Sequence, residues 1–343
     1  MVCIAAFIVL VLIGIFVATI SIFKRDFGKR YLKALKKAFH CFGKKVRLQK
    51  CDTNFSDDVK SLLLRKVILK KPKLVKPLSI SIEIASVLLV ILTIWSIVEA
   101  AKAGLSLWVF GTCNISRPGN CALGADSCAL DEDNLNWFTE WGELFSNIPD
   151  RFKNWNVNDY SDLNLAFTTG NENSDNIALS IIDPGCSVCL QSYKNLKKSD
   201  TFLKDHRLLV VLYPIKNTDG ELRFKNSELI TRIILATNEF TSTDEYSAKI
   251  INRIFTEFNA DGVIYQSIFN NDLSEDEATQ LLISWLIEWG ITPKDTFSIV
   301  DLSASENITS RLNHNVELIN TQIKPKGIPT MIYDGKKHLG LYK

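Results

Sequence analysis

The sequence predicts a layered α/β domain in the carboxy-terminal half, preceded by two transmembrane helices. Three observations predict it. Two long apolar runs, residues 1–23 and 78–98, lie ahead of residue 100. A strand–helix–strand order is centred on Asp183-Pro184-Gly185-Cys186-Ser187-Val188-Cys189. A stretch with helical periodicity, about 226–320, then intervenes before a last apolar run at 327–333. That order favours parallel pairing of the first two strands in a layered sheet.

Met1 to Phe23 carries no charge and is long enough to cross a bilayer. Its basic residues, Lys24, Arg25, Lys29 and Arg30, follow the apolar run instead of preceding it. That order predicts a retained anchor and not a cleaved leader. Leu78 to Val98 has the length of a second span, with Glu83 near one end and Trp95 near the other. Between the two, residues 24–77 hold 18 Lys/Arg and 4 Asp/Glu, a local charge of +14 against −12 for the rest of the chain. The total of +2 hides this asymmetry. By the positive-inside rule the basic loop is cytoplasmic, so the amino terminus and everything after residue 100 lie outside. Lys-rich loops also bind anionic lipid or nucleic acid. Topology alone accounts for this one, and no nucleic-acid partner is expected.

The eight cysteines sort by that topology. Cys3 falls in the first span. Cys41 and Cys51 fall in the cytoplasmic loop as reduced thiols, and with His40 they make only a weak metal signal. Cys113, Cys121 and Cys128 fall outside, where two can pair and leave one over; the sequence leaves open which. Residues 132–148 predict an amphipathic helix, with Leu135, Phe138, Trp141 and Phe145 at spacings of three and four. Such a helix can be a spacer, a membrane-surface helix, a self-association face or a helix packed on its own domain. Residues 150–175, rich in Asn and Asp, read as a linker, so all of 99–169 is expected to be an extracytoplasmic spacer.

Asn176 to Ile182 is an apolar, β-branched run of strand type. Gln191 to His206 reads as a helix, with Leu190, Tyr193, Leu196 and Phe202 towards one side. Cys186 therefore sits where a strand ends and a helix begins. Unpaired N–H groups and the positive dipole end at a helix start stabilise a thiolate, which makes Cys186 the better nucleophile. Cys189 lies one helical turn on and can close a small disulfide with it. The functional reading is a redox pair, in which Cys186 exchanges with a substrate sulfur and Cys189 resolves the mixed disulfide. A structural disulfide and half of a zinc site stand beside it. Zinc would want a second Cys or His pair, but no cysteine follows Cys189, and His206, His314 and His338 are scattered. Neither a metal nor an organic cofactor is expected.

Arg207 to Tyr213 predicts a second buried strand, stopped by Pro214. Helices follow around Ile230, Ile233, Ile234 and Ala236, and around Ile250, Ile251, Ile254 and Phe258. A third covers Ala278 to Trp289, closed by Gly290 and Pro293. A fourth runs near Ser303 to Leu318. Gly327 to Tyr333 is a strand, Asp334-Gly335 a hairpin turn signal, and His338 to Tyr342 the returning strand.

These stretches together resemble the DsbA-like branch of the thioredoxin superfamily over residues 170–343. Gly170-Asn171 through Cys186-Ser187-Val188-Cys189 is similar to its first strand and active-site motif, and Leu212-Tyr213-Pro214-Ile215 to its next strand end. The helical stretch resembles its inserted subdomain. Gly290-Ile291, with Asn315 later, resembles the run-up to its loop, and Gly327-Ile328-Pro329-Thr330 its cis-proline loop. The resemblance implies a thioredoxin-like fold with a helical insertion at about 226–320. It also implies a cis Pro329 beside Cys186, with Ile328, Pro329 and Thr330 holding a substrate strand. Against the family's pattern, the terminal helix is expected to be missing or very short, because Lys343 follows the last expected strand directly. The expected protein is a membrane-anchored thiol–disulfide oxidoreductase. Cys186 and Cys189 would be its catalytic pair, thiol-bearing envelope or secreted proteins its clients, and a separate redox protein would recycle the pair. An isomerase or reductase in which residues 132–148 pair two chains, a non-catalytic binding module, and a membrane protein with a stapled loop are the alternatives.

The charge asymmetry gives a direct test. A reporter active only outside the cytoplasm should work when fused after residue 343 and fail when fused near residue 50; the reverse pattern overturns the extracytoplasmic assignment.

Overall fold

The structure is a computed structural model. It describes residues 72–116, 127–130, 136–199, 201–217 and 219–342, with Lys36, His40 and Leu64 as isolated positions. The expected first span and nearly all of the basic loop, with Cys3, Cys41, Cys51 and Cys121, lie outside the described residues. The chain divides into two compact units, 1–101 and 102–343.

The expected span at 78–98 falls inside a longer helix, α1 (Val75–Phe110, 36 residues). Among the described residues it is the one helix long and apolar enough to cross a membrane. At 1.5 Å per residue it measures about 54 Å, well beyond the ~30 Å of a hydrocarbon core. Ile84, Leu88, Ile91, Leu92 and Ile97 are exposed along it. It absorbs residues 99–110, which the sequence reading assigned to the spacer.

The second unit is built on a five-stranded mixed sheet. Its elements in chain order start with β1 (Cys128–Ala129) and α2 (Trp137–Phe152). Then come β2 (Phe167–Gly170), β3 (Ile177–Ile182), α3 (Ser187–Lys198), the short α4 (Phe202–Asp205) and β4 (Arg207–Leu212). The helical insertion follows: α5 (Ser227–Thr241), α6 (Glu245–Thr256), α7 (Tyr265–Asn271), α8 (Glu275–Glu288), α9 (Pro293–Ser303) and α10 (Glu306–Leu318). A π-turn at Ile319–Ile323 leads to β5 (Gly327–Ile328), β6 (Thr330–Tyr333) and β7 (Lys336–Leu339). The sheet order is β2-β4-β3-β6-β7, with only the β3–β4 pair parallel.

This is the α/β architecture with a helical insertion that the resemblance implied. Strand β3 takes the centre because its residues from Ala178 to Ile182 are all buried, as a strand covered on both faces requires. The helix expected over 191–206 is broken: α3 ends at Ser199, whose N–H caps Asn195 and Leu196, and α4 restarts at Phe202. Within the insertion the sequence reading missed α7, which is only seven residues long, and α9, which lies between the expected helices at Ala278–Trp289 and Ser303–Leu318. The splits follow local caps: the Ser274–Glu277 capping box before α8, Thr292 with Pro293 before α9, and Ser305 before α10. Fully buried Ile234, Ile250, Ile254, Phe255, Leu282 and Ile299 knit the insertion to the sheet in one core, each contributing about 1.5–3 kcal/mol of burial.

Residues 150–175 are not a linker. Trp155, Tyr160, Leu163 and Phe167 are buried in the main core, and β2 pairs with β4 through Phe167↔Val210. Asn164 and the buried Asn315 of α10 exchange hydrogen bonds: Asn164 N–H donates to Asn315 Oδ1 (2.8 Å) and Asn315 Nδ2 donates to Asn164 O (2.9 Å). Asparagine content suggested flexible chain, whereas here the side chains satisfy buried backbone. The amphipathic helix expected at 132–148 is α2, started by Asn136, which accepts from Thr139 N–H (2.9 Å). Its buried contact is Leu144; Phe138 and Phe145 of the expected apolar face are 79% and 58% exposed.

Candidate active site

The site begins where β3 runs out. Asp183 is fully buried, and its carboxylate accepts three hydrogen bonds: from Gly185 N–H (2.7 Å), Ser227 Oγ (2.6 Å) and Ile215 N–H (2.6 Å). One side chain therefore ties the turn before Cys186 to the chain after β4 and to the first residue of α5. Burial pushes the Asp183 carboxyl up to about 6, against the downward pull of those three bonds and of Arg223. Gly185 is needed for space: a Cβ there would lie 2.3 Å from Phe224 Cβ and 2.9 Å from Asn270 Oδ1.

From the insertion, α7 closes over the same turn. Gln266 Nε2 donates to Pro184 O (2.8 Å) and to Cys186 O (3.0 Å), and Asn270 Nδ2 donates to Gly185 O (2.8 Å). These side chains answer the turn carbonyls of Pro184 and Gly185, while Cys186 O also accepts from Leu190 N–H of α3 (3.1 Å). Cys186 is thereby held as the N-cap of α3, in extended backbone, as the sequence reading expected.

The peptide bond Ile328–Pro329 is cis. Ile328 O lies 3.8 Å from Cys186 Sγ; this is a contact and not a hydrogen bond, because the sulfur carries no proton in its present bond. Thr330 Oγ1 donates to Gly327 O (2.7 Å), fixing the loop that carries the proline. Cys186, Cys189, Ile328, Pro329 and Thr330, all picked out from the sequence, are each buried, and Cys186 meets Ile328.

The cysteine pairing differs from expectation. Cys186 is bonded to Cys128 and not to Cys189, across 58 residues of sequence. Cys113 is also disulfide-bonded. Cys189 is a free thiol with 0% exposure, and its sulfur accepts the Asp183 N–H at 3.4 Å. Burial pushes this thiol well above its ordinary range; the Asp183 charge adds to the rise and the Asp183 N–H opposes it. Cys189 is therefore protonated at neutral pH. The small Cys186–Cys189 disulfide would need Cys128 to leave first.

Gln266, Asn270, Ser227 and the role of Asp183 were missed by sequence reasoning. The only local signal was the placement of Asp183 directly between a strand and Pro184. Gln266 and Asn270 sit four apart on a helix too short to register as periodic. Cys128 was seen only as one of three cysteines of unknown pairing.

The chain matches no protein-family model and no curated protein. Among solved structures it is similar to the thiol-disulfide exchange protein alpha-DsbA2 from Wolbachia pipientis. There the TM-score is 0.38 and the identity 18%, covering 55% of this chain and 87% of that one. It is similar to the catalytic domain of Proteus mirabilis ScsC (TM-score 0.36, 14% identity, 55% and 89% covered). It is also similar to oxidised BdbD from Bacillus subtilis (TM-score 0.36, 12% identity, 50% and 82% covered).

The raised Asp183 carboxyl has a consequence for stability. Its folded value of about 6 exceeds the ordinary 3.8. The contribution is thus full below pH ~4 and lost as pH rises through about 6, a fall of at most about 3 kcal/mol. Denaturant titrations of the wild type between pH 4 and 7 should show this decline. Asp183→Asn should remove this part of the slope while losing stability overall, because its amide would face the Ile215 N–H. An unchanged slope in that variant would show that Asp183 does not titrate there.

Proposed function

We propose that the protein is a membrane-anchored thiol–disulfide oxidoreductase whose carboxy-terminal unit works outside the cytoplasm. The reading rests on one observation: Cys186 caps a helix start beside the cis Ile328–Pro329 bond, with a second thiol, Cys189, one turn behind it. A nucleophile at a helix start, a strand edge that can hold a peptide, and a resolving thiol are the parts that disulfide exchange requires. Ile328 has its side chain buried and its backbone on the edge of the loop, so it can pair with an extended chain of any sequence.

With the Cys186–Cys189 disulfide formed, a client thiolate attacks Cys186 Sγ. Cys189 leaves as a thiolate and is reprotonated, its preferred state in this buried position. A second client thiolate then attacks the client sulfur of the mixed disulfide, and Cys186 leaves, stabilised by the α3 dipole. Run backwards, the same steps reduce a client disulfide. Clients are thiol-bearing envelope or secreted proteins, and a separate redox protein resets the pair. The helix Val75–Phe110 serves as an anchor, with residues 1–23 as a second span and the basic loop inside.

A second reading is favoured by the Cys128–Cys186 bond itself, which can act as a structural staple between two buried sulfurs. The test uses the full chain in detergent with a fluorescent dithiol peptide and a glutathione redox buffer. Cys186→Ser should slow catalysed exchange at least ~100-fold, and Cys189→Ser should keep Cys186 able to form a mixed disulfide while losing the Cys186–Cys189 disulfide that turns over. Equal rates for Cys186→Ser and wild type would exclude the enzyme reading in favour of the staple.

A further inference from the structure

The segment around Cys128 lies where a client peptide would lie. β1 pairs antiparallel with β5, with Cys128 opposite Ile328 and Ala129 opposite Gly327, immediately before the cis-proline. At the same place Cys128 is covalently joined to Cys186. Strand addition plus a disulfide to the helix-capping cysteine is the arrangement of a trapped mixed disulfide, here made by the chain with itself. The fit is close. A Cβ on Gly327 would lie 2.8 Å from Ser127 Oγ and 2.9 Å from Cys128 O, so the residue at 327 leaves room for this strand. Two residues after the cysteine, Leu130 lines a cleft of about 550 Å³ with Tyr213, Lys216, Asn320 and Lys324.

We propose that Cys128 is a third redox cysteine, carried on a tethered substrate strand that occupies the client site until Cys189 displaces it. This rests on the exchange function above. In the displacement Cys189 gives up its proton and the thiolate attacks Cys186 Sγ. The Cys186–Cys189 bond forms, and the Cys128–Cys186 bond breaks. Its electron pair leaves on Cys128 Sγ, which takes up a proton. One disulfide and one thiol stand on each side, so no external oxidant or reductant is needed. Strand β1 is then held by a two-residue pairing and by the packing of Cys128 and Leu130, with no covalent bond, and a client strand can replace it on β5. In the tethered state the remaining thiol is buried Cys189, so the oxidising equivalent is stored with no reactive thiol at the site. The clients that fit are extended peptides with a small residue after the cysteine and an apolar one at the next position.

The tether also changes what a trapping experiment shows. In Cys189→Ser a client thiol that displaces Cys128 from Cys186 is itself expelled, because tethered Cys128 returns at high effective concentration. The test uses oxidised full-length protein in detergent and a synthetic Ser-Cys-Ala-Leu peptide, with acid quenching, alkylation and disulfide mapping by mass spectrometry. Wild type should contain both Cys128–Cys186 and Cys186–Cys189 linkages without added oxidant. Peptide adducts on Cys186 should be at least ~10-fold more abundant in Cys128→Ser/Cys189→Ser, oxidised with the peptide disulfide, than in Cys189→Ser treated likewise. Gly327→Ala, which keeps every thiol, should shift the wild-type mixture towards Cys186–Cys189. A single Cys128–Cys186 linkage in both wild type and Gly327→Ala, with equal adduct yields in the single and double variants, would overturn the relay. If the two linkages interchange as described but no variant ever forms a peptide adduct, the relay stands and the client-exchange function fails.

Discussion

The site depends on one buried carboxylate. Asp183 has three donors around its two oxygens, and each comes from a different part of the fold: Gly185 from the turn, Ile215 from beyond β4, and Ser227 from the start of α5. A buried carboxylate without such partners would be strongly unfavourable. The three bonds lower that cost without cancelling it, which is why the carboxyl stays near 6. What the fold gains is position. The turn that ends β3 and starts α3 is fixed relative to the sheet and to the insertion at once.

The insertion therefore belongs to the site and is not an appendage. α7 brings Gln266 and Asn270 onto the carbonyls of Pro184, Gly185 and Cys186. Cys186 can then cap α3 without a side-chain hydrogen bond of its own. Its sulfur is left to face Ile328 across the cis bond. The sulfur of Cys189 is turned inward, against the backbone of Asp183. Two cysteines three residues apart are thus both buried but differently placed, one bonded to Cys128 beside Ile328 and one a free thiol against Asp183. Burial raises the proton affinity of the Cys189 thiol, whereas Cys186 carries no proton in its bond to Cys128.

Electrostatics and strand pairing meet at the same point. The two-residue β1–β5 pairing is too short to persist by itself, and the covalent bond to Cys186 supplies what the hydrogen bonds lack. On the exchange function proposed above, the same edge takes a client strand by backbone pairing, which does not depend on the client's side chains. Gly327 is the position where shape discriminates, because the backbone of the occupant passes within contact distance.

The sequence by itself determined the local elements and the chemistry they carry. The apolar run before Asp183, the helical spacing after Cys189 and the Gly-Ile-Pro-Thr before a strand were legible because periodicity and turn residues act within a few positions. Cys186, Cys189, Ile328, Pro329 and Thr330 were accordingly singled out, and the structure brings Cys186 against Ile328. Tertiary structure decided what joins elements far apart. It decided that Cys128, not Cys189, holds Cys186, and that Asn164 and Asn315 bury a stretch whose composition resembles a linker. It also decided that a seven-residue helix supplies the groups that hold the active-site turn. Periodicity reports that a face is buried, but not against which partner. The partner is set by the sheet order and by which buried carbonyls and donors remain to be satisfied once the chain has packed.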